Sequence, residues 1–264
     1  MTLTDAKGGP SNFVWYELVT PDAKTAEAFY RGVVGWDADV QAGITPGEPY
    51  TILKVGKVPV AGMVAMPKDF FTGGTKPGWI GYIGVDDVGS YTKRVQEAGG
   101  KVHRPVRDIP MVGQFSVVAD SQGTVFVLFQ AKEGAQRPPQ PLAGTPGFAG
   151  WNELHAVEWK SAWEFYSGLF GWTKAETVDM GPMGVYQTFA AGGPPIGGMM
   201  TAGDQANRPG WVYYFNVDSA EAAAERVKEK GGKVLMGPHE VPGGSWIVQG
   251  IDPQGAMFAV VGPK

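Results

Sequence analysis

Two carboxylates and one imidazole stand out in a chain otherwise poor in reactive groups. Glu17 and Glu153 each follow a tryptophan by two residues, in Trp15-Tyr16-Glu17-Leu18 and Trp151-Asn152-Glu153-Leu154. A carboxylate set among indole and phenol rings loses hydration, which raises its pKa toward the range of a general base. The same carboxylate can instead accept hydrogen bonds from aromatic and backbone donors and fasten the structure. Both copies keep it, and both roles stay open. His155 stands two residues after Glu153, where the first copy has Val19, so this imidazole breaks the symmetry. It is a candidate for proton transfer, although a lone histidine also serves as an ordinary structural residue. His103 and His239 form no His-x-His or i, i+4 pair with it, so the usual spacing of a histidine metal site is missing. With no cysteine there is no thiolate nucleophile or ligand and no disulfide, as suits a cytoplasmic protein.

These residues lie in a duplicated sequence. Phe29-Tyr30 and Gly35-Trp36 return as Phe165-Tyr166 and Gly171-Trp172, Tyr50 as Tyr186, and Gly62-Met63 as Gly198-Met199, all offset by 136 residues. After a four-residue contraction Trp79 matches Trp211, Val85-Asp86 matches Val217-Asp218, and Asp120-Ser121-Gln122-Gly123 matches Asp252-Pro253-Gln254-Gly255. Two copies indicate a duplicated module rather than an open solenoid. The expected divisions are a tail at 1–11, modules at 12–130 and 146–264, and a Pro-rich linker at 131–145.

Within each module the residues predict strand, helix, strands, helix, strands. Phe13 to Val19 is aromatic and β-branched, Thr20-Pro21-Asp22 starts a helix reaching about Gly32, and Tyr50 to Val55 pairs with Val60 to Ala65 across Gly56-Lys57. Trp79 to Val85 forms a strand, Asp86/Asp87 opens a helix that Gly99-Gly100 ends, and Phe115 to Ala119 pairs with Thr124 to Gln130. Asp120 and Asp252 precede x-x-Gly and are read as turn residues, with Asp86 and Asp218 as helix caps. The longer loops, Met66 to Gly78 and Thr201 to Gly210, are candidate lids. Gly73-Gly74, Gly192-Gly193 and Gly243-Gly244 lack the strand–loop–helix setting and following Lys of a phosphate loop.

Bulk composition narrows the partners. A net charge of −4 without a basic stripe argues against nucleic acid, and no apolar run is long enough to span a bilayer. A small-molecule ligand or substrate is expected, with the chain a monomer or homodimer.

The order of motifs, a strand, Asp before a helix ending Phe-Tyr, Gly-Trp, a Val-Asp helix closed by Gly-Gly, then Asp-x-x-Gly, resembles the vicinal oxygen chelate superfamily of glyoxalases, bleomycin resistance proteins and extradiol dioxygenases. The Trp-Asn-Glu-Leu strand and Ile109-Pro110-Met111-Val112-Gly113 resemble, more narrowly, the actinobacterial tandem proteins related to the mycobacterial 27 kDa antigen. The resemblance implies an α+β fold: two tandem modules of paired βαβββ units forming cup-shaped, mostly antiparallel sheets.

Metal-using members of that superfamily take ligands from the first strand, from the strand before the Val-Asp helix and from the last strand. Carried over, these slots hold Trp15, Ile80 and Val127 in the first copy and Trp151, Val212 and Ala259 in the second. None can ligate a divalent cation through its side chain, so no metal and no cofactor is expected. Strand alternation places Trp15, Glu17 and Val19, and Trp151, Glu153 and His155, on the cup face, with Tyr82, Tyr214 and Asn216 beside them. Trp246, opposite Gln114 of the other copy, is a further candidate wall. The expectation is an apolar cup for a small aromatic or carbonyl-containing metabolite, as in a resistance or sequestration protein. The alternatives are a metal-free lyase, isomerase or hydroxylase-like tailoring enzyme using a glutamate base, and a metal-dependent lactoylglutathione lyase or dioxygenase.

Overall fold

The computed structural model describes residues 11–43, 49–71, 75–135, 141–203 and 209–264. The first copy contains β1 (Phe13–Thr20), α1 (Ala23–Val33), β2 (Asp37–Ala42), β3 (Pro49–Val55), β4 (Val58–Ala65), β5 (Gly78–Gly84), α2 (Val88–Glu97), β6 (Lys101–Ile109), β7 (Gly113–Ala119) and β8 (Val125–Ala131). The second contains β9 (Ala149–Ala156), α3 (Trp159–Phe170), β10 (Thr173–Asp179), β11 (Val185–Ala190), β12 (Pro195–Thr201), β13 (Gly210–Asn216), α4 (Ala220–Glu229), β14 (Lys233–Glu240), β15 (Trp246–Ile251) and β16 (Met257–Gly262). Each copy contributes one eight-stranded sheet, in the orders β2-β3-β4-β1-β5-β8-β7-β6 and β10-β11-β12-β9-β13-β16-β15-β14. β1 runs parallel to β4, β5 to β8 and β13 to β16, while the hairpins are antiparallel. The architecture is the α+β tandem expected from the sequence. Residues 1–10 of the proposed tail, Gly73-Gly74 and the centres of the linker and of the Thr201 to Gly210 loop fall outside the described residues.

The helices start where local chemistry supplies acceptors for their free N–H groups. Asp22 caps α1 by accepting from the Thr25 amide, and α1 buries Ala26, Phe29, Tyr30 and Val33 at helical spacing. The caps of α2 and α4 are Asp87 and Ser219, one residue later than expected; they accept from the Ser90 and Ala222 amides. Asp218 instead pairs with Arg226 at 2.7 Å. The outermost strands of both sheets were not individually legible, because β2, β6, β10 and β14 are largely exposed and carry no sustained apolar alternation.

The motifs that repeat most faithfully fasten one copy to the other. Two compact units divide the chain, and each mixes the copies: one joins 82–135 to 153–211, the other joins 15–81 to 212–264. In the first unit the Tyr166 hydroxyl donates to Asp120 Oδ2 at 3.0 Å and accepts from Trp211 Nε1 at 3.0 Å. In the second, Tyr30 donates to Asp252 at 3.2 Å and accepts from Trp79 at 2.8 Å. Trp36 donates to the Gly147 carbonyl and Trp172 to that of Ser11, so each Gly-Trp pins the segment leading into the other copy's first strand. The core of the first unit packs Ile83, Val118, Phe126 and Leu128 against Leu154, Phe165 and Phe170.

Asp120 and Asp252 also accept the amides two and four residues onward, which confirms their turn role. Burial holds both carboxyls above their ordinary range, against the opposing pull of those amides and of the tyrosines.

Candidate functional site

β1 and β9 position the candidate carboxylates by simple alternation. Tyr16, Leu18 and Thr20 are buried on one face of β1; Asn152, Leu154 and Ala156 are buried on the matching face of β9, where Leu154 and Ala156 join the core beneath the helices. Trp15 and Glu17, and Trp151, Glu153 and His155, therefore occupy the opposite faces, as expected. Tyr16 and Asn152 meet on the helix side, with the phenol donating to the amide oxygen at 2.8 Å.

Each glutamate is held by a tyrosine that the sequence reading did not single out as functional. Tyr50 donates to Glu17 Oε2 at 2.8 Å and accepts from Trp15 Nε1 at 3.1 Å. Tyr186 donates to Glu153 Oε2 at 2.9 Å. The tyrosine reaches across a glycine in both copies: a Cβ at Gly62 would fall on the Tyr50 hydroxyl, and one at Gly198 on the Tyr186 ring. Gly62 is also the β4 partner of Glu17. The repeated Tyr and Gly-Met positions were thus visible as repeats, but their convergence on the glutamates depends on strand register. Burial, and secondarily the Glu17 carboxylate, push the Tyr50 phenol well above its ordinary pKa, so it remains a donor.

The second copy adds a group the first lacks. His155, 1 % exposed, places Nε2 2.7 Å from Glu153 Oε1, and Glu153 itself is 9 % exposed. Val19 stands at the equivalent place in the first copy.

The slots carried over for metal ligands in the second copy converge. Val212, Tyr214 and Ala259 form a buried apolar cluster with Trp151, Ile247, Met257 and Val261 packed against it. Tyr214 and Ala259 are register partners on β13 and β16, and the Tyr214 hydroxyl accepts from Gln249 Nε2 at 2.6 Å. Gln249 was missed by the sequence reading; its counterpart in the first copy is Val117, and that asymmetry could have flagged it. In the first copy Tyr82 is the register partner of Val127 and packs near Phe129, with ring centroids 6.2 Å apart. No group of three or more His, Asp or Glu able to hold a metal ion occurs among the described residues. His103 and His239 are exposed on edge strands. A side-chain set of Trp, Val and Ala does not fit a divalent cation.

Two candidate wall residues stand elsewhere. Asn216 spends its amide on the Phe148 carbonyl at 3.0 Å, where its backbone N–H also donates, so it braces the entry to β9. Trp246 is the register partner of Gly262, whereas Ile247, Val261 and Met257 belong to the Tyr214 cluster. Alternation therefore puts Trp246 on the opposite face of β15, where the Lys264 ammonium lies 4.9 Å from its ring centroid. Its expected position in the cup is corrected.

The sequence and the architecture each lead to known proteins. CFP32 of Mycobacterium tuberculosis (strain CDC 1551 / Oshkosh), assigned by name as a glyoxylase, is 32% identical over 251 residues, 94% of each chain. The anthracycline biosynthesis protein DnrV of Streptomyces peucetius is 32% identical over 269 residues, covering 97% of this chain and 94% of its own. Among solved structures, the Mn(II)-bound glyoxalase from Novosphingobium aromaticivorans superposes with a TM-score of 0.65 at 15% identity, covering 96% of this chain and 82% of that one. Homoprotocatechuate 2,3-dioxygenase from Arthrobacter globiformis gives 0.67 at 14% identity, covering 96% and 80%. At such identities the structural likeness establishes the fold alone. The sequence profile of the Glyoxalase/Bleomycin resistance protein/Dioxygenase superfamily matches residues 12–128 and 158–260, and the chain belongs to that superfamily.

Proposed function

We propose that this protein binds a small, flat aromatic or carbonyl-containing metabolite without a metal ion, using the apolar face of the second copy's sheet. The observation that carries this reading is the cluster of Trp151, Val212 and Ala259 around Tyr214. Positions that would have to supply lone pairs supply an indole wall and aliphatic contacts. Such a lining, with few polar groups, suits an apolar ligand whose orientation is fixed by one or two hydrogen bonds. The name of DnrV, an anthracycline biosynthesis protein, supports a flat aromatic ketone as the ligand class.

The test pairs two measurements on protein purified without chelator or affinity tag. Titration with flat aromatic ketones, quinones and 2-oxoaldehydes should quench or shift tryptophan fluorescence, and Trp151→Leu should weaken that response at least tenfold. Elemental analysis should find no stoichiometric transition metal. A full equivalent of Mn, Fe, Ni or Zn would favour the metal-dependent lyase or dioxygenase reading instead.

A second reading is favoured by the contact between Glu153 and His155: a metal-free isomerase or lyase that uses this pair. Turnover that vanishes in Glu153→Gln while the fold persists would separate an enzyme from a sequestering protein.

A further inference from the structure

Lys174 holds its ammonium over two indole rings. Its Nζ lies 5.3 Å from the Trp159 ring centroid and 5.5 Å from that of Trp163. The two tryptophans stand four residues apart on α3 and therefore share one face of that helix. Both are partly buried and pack against the core that contains Phe165 and Phe189. Lys174 reaches them from β10, the outermost strand of its sheet, where its register partner is Phe189. All of these residues belong to one compact unit.

The fold does not require this arrangement. At the offset of 136 the first copy carries Ala23, Glu27 and Ala38, and α1 and β2 form there without the two indoles or the ammonium. Lys174 makes no ion pair among the described residues, so its cation is held by the rings and not by a carboxylate. A primary ammonium is an imperfect occupant of such a place. Its three N–H groups need acceptors, and an indole face offers only the negative side of its quadrupole. A trimethylammonium group brings the same charge, leaves no donor unpaired and sets methyl groups against the rings.

We propose that Trp159 and Trp163 form a recognition site for the trimethylammonium group of a choline-like compound, with Lys174 as its internal occupant. Lys174 is exposed on a flexible stem, so it swings into solvent as the ligand enters. Two cations then compete for one pair of rings. Removing the lysine strengthens ligand binding, an effect that an ordinary packing contact at this place does not have.

The test uses the full chain, with choline chloride as the probe and 3,3-dimethylbutan-1-ol as its uncharged isostere. In proton NMR the choline N-methyl signal should move upfield on addition of protein, under the ring currents of the indoles, while the tert-butyl signal of the alcohol stays in place. Lys174→Ala, matching Ala38 of the first copy, should tighten choline binding at least about fivefold, and Trp163→Leu should weaken it by about as much. If Trp163→Leu fails to fold, judged by near-UV circular dichroism, the comparison of choline with its isostere on Lys174→Ala decides alone. Equal binding of the two probes, no choline binding by Lys174→Ala, no gain from removing Lys174, or unchanged binding in a folded Trp163→Leu overturns the proposal. Co-sedimentation with phosphatidylcholine vesicles separates the sources of the group. Choline binding with the protein left in the supernatant assigns the site to a free metabolite; pelleting that Trp163→Leu abolishes assigns it to the lipid headgroup.

Discussion

At the scale of single residues, the glutamates are defined by what leans on them. Tyr50 and Tyr186 reach them only because Gly62 and Gly198 leave room. Gly198→Ala should force the Tyr186 ring aside and cost about 1–3 kcal/mol, the usual penalty for overpacking. Tyr186→Phe removes one donor from Glu153 and should cost about 1–3 kcal/mol as well, since the carboxylate is nearly buried. Chemical denaturation checks both. Indifference to Gly198→Ala would mean that the tyrosine has another way to pack. At this scale the sequence was half informative: it displayed Trp-x-Glu, Tyr and Gly-Met twice, but not that they meet. It also displayed His155, but not that its Nδ1 is buried with no partner among the described residues, which no local pattern encodes.

At the scale of elements, caps and turns carry testable energetics. Asp87→Ala should destabilise by about 1 kcal/mol through loss of the α2 cap. Asp86→Ala, one residue earlier, should fall within about 0.5 kcal/mol of the parent, and a reversed order would reinstate Asp86 as the cap. The turn aspartates predict a pH effect with a definite sign. The folded-state pKa values of Asp120 and Asp252 are raised, so the folded protein binds their protons more tightly than the unfolded chain. Their contribution is therefore complete below the unfolded carboxylate value of about 3.9 and is lost as pH rises through the higher folded value. Asp120→Asn keeps an acceptor for the Gln122 and Thr124 amides without that titration. Its Tm should improve relative to the parent on going from about pH 4 to about pH 7. Parallel Tm curves would show that the site does not titrate in this window. The depressed groups Asp22, Glu158 and Asp218 work in the opposite sense, losing their contribution as pH falls, but they are common to both proteins and cancel in the comparison. Turn chemistry was legible in Asp-x-x-Gly; the shift was not, because burial comes from strands and helices of the other copy.

At the scale of the whole molecule, duplication has been used to build mixed units. The core that includes Ile83, Phe126 and Leu128 is completed by Leu154, Phe165 and Phe170 from the second copy. Neither copy alone buries the apolar surface that its own helices and strands present. A fragment ending within the linker, residues 1–138, should therefore not fold as a monomer, whereas mixing it with 139–264 should restore native circular dichroism and a co-eluting complex. A stable, monomeric 1–138 fragment with a cooperative thermal transition would contradict the mixed units. No helix of the described residues is long and apolar enough to cross a membrane.

The sequence by itself determined the duplication and the superfamily. Those depend on residue identity at positions that repeated motifs anchor. It also determined which face of β1 and β9 carries each side chain, since alternation is local. Only the tertiary structure decided which copy completes which core, that tyrosines clamp the glutamates, that Trp246 lies on the other face, and that one histidine nitrogen is buried and unpaired among the described residues. Each of these depends on strand register or on contacts more than a hundred residues apart in the chain, and a linear pattern carries neither.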